Sequence, residues 1–251
     1  MSRSIADIRK DYKLRSLDEA DVAIKPIEQF TLWWDEAINS GIDDVNAMTL
    51  ATASKNGHPC ARIVLLKGYD ERGFVFFTNY NSHKGKELED NPQAALVFFW
   101  KELERQVRIE GIVAKIPDAE SDTYFESRPA GSRIGAWASP QSETIAEREI
   151  LENNFLHYEK KFGDGSIPRP PHWGGYIVKP KLVEFWQGRS SRLHDRIQYT
   201  IQPDTSWKVE RLAPERGWMI IVRCQKRKKR RRLYSICGVF FIALYSFILK
   251  F

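Results

Sequence analysis

In PIEQFTLWWDEAINSG the apolar residues Ile27, Phe30, Trp33, Trp34, Ala37 and Ile38 recur at spacings of three and four. This predicts an amphipathic helix with one aromatic face on the core and Gly41 at its C-terminal end. From residue 46 the period changes to that of strands. NAMTLATA, a turn at Asn56-Gly57, ARIVLLKGY, the turn DERG and FVFFTNY read as three successive antiparallel strands. SHKGKELEDNP begins with Ser82 and ends at Pro92, the pattern of a short exposed helix. QAALVFFW and RQVRIEGIVAKI, joined by KELE, extend the meander to five strands.

Residues 117–162 turn helical, in PDAESDTYFESRP, GSRIGAWAS and SETIAEREILENNFLHYEKKF, the last with a stripe of Ile145, Ile150, Leu151, Phe155 and Tyr158. The Pro- and Gly-rich loop GDGSIPRPPHWGG precedes four further strands, GYIVKP, LVEFWQG, RLHDRIQYTI and SWKVERLAP. Short antiparallel strands interrupted by helices, without βαβ alternation, predict a mainly β, α+β fold: a β-barrel with helical insertions.

Composition divides the 251-residue chain. Its net charge is +6, but residues 215–251 hold ten Lys or Arg against one acidic residue, Glu215, a local +9 that leaves residues 1–214 at −3. The folded part is therefore no polycation, and a nucleic-acid partner is not expected. Three cysteines, Cys60, Cys224 and Cys237, form no CxxC pair or even framework. The five histidines lack ligand spacing, so no metal site is expected. The first residues carry no apolar run of a secretory signal, and the expected compartment is the cytoplasm. No dinucleotide-binding or phosphate-loop motif follows a strand.

Basic residues gather at strand ends. Arg62 and Lys67 bracket RIVLLK, His83, Lys84 and Lys86 open a helix, and Arg105, Arg108, Arg128, Arg133, Arg192 and Arg196 recur further on. Each alone reads as a solvated charge. Together, in a domain of negative net charge, they suit an anionic ligand, and Gln106, Gln141, Ser142 and Trp186 add neutral donors and a flat surface. Trp186 and the glutamines read equally well as core and surface. With no Ser/His/Asp or Cys/His arrangement, redox chemistry at such a site needs a cofactor.

RIVLLKGYDERGFVFFTNYNSHKGKEL, LERQVRIEG, YFESRPAGSRIGAWASPQS, WGGYIVKP and EFWQGRSSRLHDR, followed by WKVERLAP, give residues 5–214 a dense, ordered similarity to the FMN-dependent pyridoxine (pyridoxamine) 5′-phosphate oxidase family. The resemblance implies an FMN-binding split β-barrel of antiparallel Greek-key type, working as a homodimer with two FMN sites at the subunit interface. It assigns FMN contacts to Arg62, Ile63, Val64, Leu65, Leu66, Lys67, Phe77, Thr78, His83, Lys84, Gln106, Gln141, Ser142, Trp186 and Arg196. It assigns the substrate phosphate to Lys67, Tyr124, Arg128 and Ser132, and the pyridine ring to Arg192 and His194, with Leu193 between them. Arg192 and His194 are the implied catalytic pair, acting mainly as positioners. Arg9, Lys10, Asp11 and Tyr12 are implied to fold over the site as a lid. The implied reaction moves a hydride from C4′ of pyridoxamine or pyridoxine 5′-phosphate to flavin N5, with O2 as final acceptor, giving pyridoxal 5′-phosphate, H2O2 and, from the amine, ammonia.

These readings divide the chain into an arm, 1–25, an oxidase domain, 26–214, and an extension, 215–251. If RLHDR is strand, Arg192, His194 and Arg196 share one face. His83 stands where the family commonly has Arg, so a weaker hold on the FMN phosphate is expected. In the extension, QKRKKRRR precedes the uncharged LYSICGVFFIALYSFIL. It reads either as a membrane anchor facing the cytosol or, the favoured reading, as noncoding sequence read in frame. The alternative to an oxidase is a non-catalytic split barrel that binds flavin or pyridoxal phosphate.

Overall fold

The computed structural model describes residues 11–163 and 165–214. The chain divides into two units, Met1–Pro214 and Glu215–Phe251. The second, with its basic run and apolar stretch, lies outside the described residues. Among the described residues no helix is long and apolar enough to cross a membrane.

The first unit runs α1 (Pro26–Asn39), β1 (Ala47–Ala53), β2 (Pro59–Leu65), β3 (Gly68–Asp70), β4 (Gly73–Asn79), α2 (His83–Asp90), β5 (Gln93–Trp100), β6 (Arg105–Lys115), α3 (Asp118–Glu126), α4 (Ala130–Ala138), α5 (Glu149–Phe162), β7 (Trp173–Gln187), β8 (Asp195–Ile201) and β9 (Trp207–Arg211). All strand pairs are antiparallel. The sheet order is β2-β1-β5-β6-β7-β4-β3, with β8 and then β9 added beside β7. The first and last strands of that order are separated in the chain only by Leu66 and Lys67, so the sheet must curl until its ends meet. At that corner the Leu66 N–H donates to the Asn46 carbonyl and the Lys67 N–H to the Val75 carbonyl. The barrel is split at β7: Trp173–Val178 pairs with β4, whereas Leu182–Gln187 pairs with β8.

Helix α1 supplies the core face that its spacing predicts. Phe30 is fully buried, 4.9 Å from both Tyr69 and Phe74, and Trp33 meets Phe185 edge-on at 5.2 Å. Trp34 is half-buried and Ile38 exposed, because one stripe of a helix reaches the core. The helix is capped at Ser40, and Gly41 follows at φ +66°. Phe125, Ile134, Ile167 and Trp173 build a second, smaller core under α3 and α4.

Five sequence expectations need correction. ARIVLLKGY is two strands, because the barrel closes inside it. GYIVKP and LVEFWQG form one strand, β7, whose pairing with β6 is broken by a bulge near Pro180. The third predicted helix begins at Glu149, after a turn in which Ser142 has φ +72°, and its apolar stripe is only half-buried. RLHDR is not strand: Ser191 and Arg192 both adopt positive φ, 56° and 60°, so β8 begins at Asp195. Arg192, His194 and Arg196 therefore do not share a strand face. Helix α2 is also less exposed than its charge suggests, with Glu87 and Leu88 buried.

The N-terminal arm lies on the barrel from residue 11 onward. Glu104, held at φ +54°, accepts the N–H groups of Lys13 and Leu14 on its carboxylate. Further along, the Leu17 N–H donates to Asp195, Arg211 donates to the Leu17 carbonyl and pairs with Asp18 and Glu19, and the Tyr199 hydroxyl donates to the Ala23 carbonyl.

Candidate functional site

A cavity of about 540 Å³ opens at the barrel's closing corner. Strand β2 gives it Arg62, Ile63, Val64 and Leu65, and Lys67 follows at the corner itself. Phe77 and Thr78 come from β4, Lys84 from α2, Tyr124 from α3, Ser132 from α4, with Arg128 between the two helices and Gln141 beyond them. Twelve of the residues expected at the site thus share one cavity. Among the described residues β2 pairs only with β1, which makes it an edge strand whose outer backbone groups have no strand partner there. Ile63 is 65% exposed and Leu65 40%, an apolar surface suited to a flat ring.

Two cationic regions flank that strand. Arg62 donates to Thr52 Oγ1 and, at 3.2 Å, to the buried carboxylate of Glu87. Lys84 Nζ lies 3.2 Å from Thr78 Oγ1, and burial, then the nearby Arg62, push its ammonium below the ordinary lysine value. Gln141 Oε1 accepts from Thr78 Oγ1 at 3.1 Å, from the Asn79 N–H at 3.4 Å and from Lys84 at 3.5 Å. On the other side, Arg128 lies 4.6 Å over the Trp173 ring, and burial lowers its pKa. Its Nη1 is buried without a hydrogen-bond partner among the described residues. A buried guanidinium nitrogen left unpaired is costly, and an oxyanion in the cavity would satisfy it.

Sequence reasoning missed Asn79, Ser139 and Trp173, which also line the cavity. Trp173 ends a stack in which Phe77 lies 3.9 Å from Tyr124 and 5.4 Å from Trp173. The Gly174-Gly175 pair after it was the available signal: a Cβ at Gly174 would strike the Tyr80 hydroxyl, and one at Gly175 would strike Ile116 and Phe77.

The remaining expected residues lie apart from this cavity. Leu66 is in the core. His83 is exposed at the start of α2, near Cys60 and Glu87, and Ser142 is exposed in the turn after α4. Gln106, Trp186 and Arg196 are register neighbours across β6, β7 and β8. Arg196 grips Glu184 with two hydrogen bonds, 2.8 and 3.1 Å, and Arg108 reaches the same carboxylate at 2.9 Å. Trp186 lies 4.6 Å from the His194 ring, and Tyr12 stands edge-on to both, at 5.7 and 5.8 Å. Tyr12 fits there because Gly188 has no side chain: a Cβ would come within 3 Å of the Tyr12 ring. Arg192 and Leu193 are exposed in the turn before β8. Asp11 pairs with Lys13 at 3.0 Å. Arg9 and Lys10 lie outside the described residues.

His194 Nδ1 accepts the Arg189 N–H at 3.1 Å, so the neutral ring carries its proton on Nε2. Burial, then Arg192, lowers its pKa, with Asp195 opposing. Arg189, which had no assigned role, supplies that backbone N–H and a long pair to Asp195 at 3.7 Å. Arg105, counted among the anion-binding cations from sequence, is a buried structural residue: it pairs with Glu36 at 2.7 Å, donates to Gln187 at 2.9 Å and covers Trp33 at 4.3 Å.

Known proteins agree with this architecture. The family description "Pyridoxamine 5′-phosphate oxidase" matches residues 34–161, and "Pyridoxine 5′-phosphate oxidase C-terminal dimerisation region" matches residues 173–214. A pyridoxine/pyridoxamine 5′-phosphate oxidase of Trichormus variabilis is 58% identical over 214 residues, 85% of this chain and 100% of that protein. A second, from Ralstonia nicotianae, is 60% identical over 211 residues, 84% of this chain and 99% of its own length. Among solved structures, PhzG from Burkholderia lata, in complex with tetrahydrophenazine-1-carboxylic acid, superposes with a TM-score of 0.76 at 28% identity, over 82% of this chain and 100% of that one. An FMN-binding protein related to pyridoxamine 5′-phosphate oxidase, from Nostoc punctiforme, shares the fold with a TM-score of 0.62 at 18% identity, over 77% of this chain and 100% of its own. From near the N-terminal arm to Pro214, the chain belongs to the pyridoxine/pyridoxamine 5′-phosphate oxidase family.

Proposed function

We propose that the chain is an FMN-dependent oxidase that converts pyridoxamine or pyridoxine 5′-phosphate to pyridoxal 5′-phosphate as a homodimer. The observation that carries this reading is the orphaned, buried Nη1 of Arg128 in a cavity that also holds Tyr124, Ser132 and Lys67. That donor set fits a phosphate, and Arg62 and Lys84 at the other end fit a second one. The aliphatic edge of β2 lies between them, so the residues present fit FMN and a phosphorylated substrate together. Identity of about 58% to oxidases of this substrate class, against 28% to PhzG, favours the phosphorylated pyridine.

When bound, FMN would supply a two-electron acceptor for the substrate carbon that is oxidised, with O2 as the final oxidant. The chain's own residues bind and orient. Arg62 and Lys84 neutralise the flavin phosphate. Gln141 Oε1 is committed to Thr78, Asn79 and Lys84, which leaves Nε2 as its donor to the ring. Lys67, Tyr124, Arg128 and Ser132 fix the substrate phosphate and so set where C4′ lies, and orientation of this kind contributes a large part of the rate. Gln106, Trp186, Arg192, His194 and Arg196 belong to a separate group, largely on the strands matched by the dimerisation region. In this reading a second copy brings that group to the cavity, with His194 Nε2–H donating to the substrate and Tyr12 covering it.

The test is an oxygen electrode assay on the FMN-loaded full chain and on residues 1–214. Oxygen uptake with either substrate, equal in both proteins, supports the reading. A yellow protein whose flavin neither substrate reduces under anaerobic conditions sinks it and leaves a non-catalytic binding protein.

A further inference from the structure

Beside the cavity, three side chains of different chemistry converge without a part in the reaction just proposed for Cys60 or Glu87. Register places Cys60 of β2 opposite Thr52 of β1. Ser82 caps α2, its Oγ accepting the Gly85 N–H at 3.3 Å, and so fixes the first turn of the helix. His83 and Glu87, four residues apart, then share the helix face turned toward Cys60. Cys60 Sγ lies 3.8 Å from His83 Nδ1, and His83 Nε2 lies 3.7 Å from Glu87 Oε1. One ligand atom from each of the three falls within 4.8 Å of the others.

We propose that Cys60, His83 and Glu87 form a binding site for a zinc-class divalent cation. Thiolate, imidazole and carboxylate are the ligand types such ions take, and a thiolate disfavours magnesium and calcium. Ligands bound at about 2.0–2.3 Å in a tetrahedron stand roughly 3.5 Å apart. With one His83 nitrogen as ligand, the three atoms lie within 4.8 Å of one another, so reaching that spacing takes a contraction of up to roughly 1.3 Å, which a turn of the exposed His83 side chain can supply. The His83 ring, 64% exposed, is free to turn one nitrogen to the ion and the other to solvent. Glu87 is prepared for the role: its Oε2 is held by Thr52 Oγ1 at 2.6 Å and Arg62 Nη2 at 3.2 Å, which orients Oε1 toward the site. Three protein ligands leave a fourth position for water. Binding displaces the thiol proton to solvent, so charge and atoms balance.

The experiment titrates the metal-free full chain with Co2+ and follows the thiolate-to-cobalt charge-transfer band. The expected result is one cobalt per chain, displaced by Zn2+ and not by equimolar Mg2+. Cys60→Ala should abolish the band and weaken binding by about tenfold or more, since even outer-sphere partners are worth about 10–100-fold. The double variant Cys224→Ala/Cys237→Ala should keep it, which separates Cys60 from the two cysteines of the extension. A missing band, or one that survives in Cys60→Ala, overturns the site. If the oxidase reading fails, the cobalt band remains, and if the band is absent while flavin binds, the cation site alone falls.

Discussion

Glu184 on β7 and Arg196 on β8 face one another through two hydrogen bonds, 2.8 and 3.1 Å, with both side chains nearly excluded from water. Arg108 reaches the same carboxylate from β6. Removing the acid leaves two guanidinium groups side by side in a low-dielectric setting. Glu184→Ala should therefore destabilise the protein by about 3–5 kcal/mol. Urea unfolding followed by tryptophan fluorescence measures this, and a loss under about 1 kcal/mol would mean that the pair is solvated in solution.

Phe30 is fully buried among Tyr69, Phe74, Phe98 and Trp100. Phe30→Ala should cost about 3–5 kcal/mol through lost burial and the cavity left behind. The same unfolding experiment reads it, and Phe30→Leu should recover much of the loss.

Gly188→Ala should dislodge Tyr12, since the new methyl group needs the space its ring occupies. The expected outcome is faster proteolytic clipping near residue 12 with an unchanged unfolding midpoint of the barrel. Equal clipping of both proteins would show that the ring is not held there.

The folded-state pKa of His194 is depressed, chiefly by burial and then by Arg192. A group of this kind binds fewer protons folded than unfolded between its lowered value and the ordinary one near 6.5. Stability should therefore be unaffected above that ordinary value and fall as pH drops through it, levelling off below the depressed value. NMR titration of the ring should give a midpoint under 6.5, and His194→Asn should flatten that part of the stability profile. A midpoint above 6.5 contradicts the burial.

Arg192 is exposed in a left-handed turn, and the proposed function has it orient the substrate. Arg192→Ala should lower kcat/KM by about 10²-fold through misplacement of the substrate, with FMN affinity retained. Steady-state kinetics beside a flavin titration separates the two, and an unchanged kcat/KM removes Arg192 from the site.

Periodicity and turn residues made α1, β1, β4, β5, β6 and α2 legible in the sequence, because local pattern and burial agree there. The break at Leu66–Lys67 was not legible: its cause is the meeting of sheet ends far apart in strand order. The same holds for the turn at 190–194, where polar alternation resembles a strand but two left-handed residues bend the chain. Charge alone could not separate Lys84 and Arg128, which line the cavity, from Arg105, which is consumed by Glu36 and Trp33. Glu184 and Glu104 went unmarked for a similar reason, since a buried acid is visible only once its partners are in place.

The anchors of the N-terminal arm bear on the order of events at the ribosome. Leu17 bonds to Asp195, 178 residues later, and Ala23 to Tyr199, 176 residues later. At 5–20 residues per second, the arm emerges roughly 10–35 s before those partners are synthesised. The arm is thus made well before it is fastened, and the strands that hold it must be complete before Tyr12 can settle against Trp186 and His194.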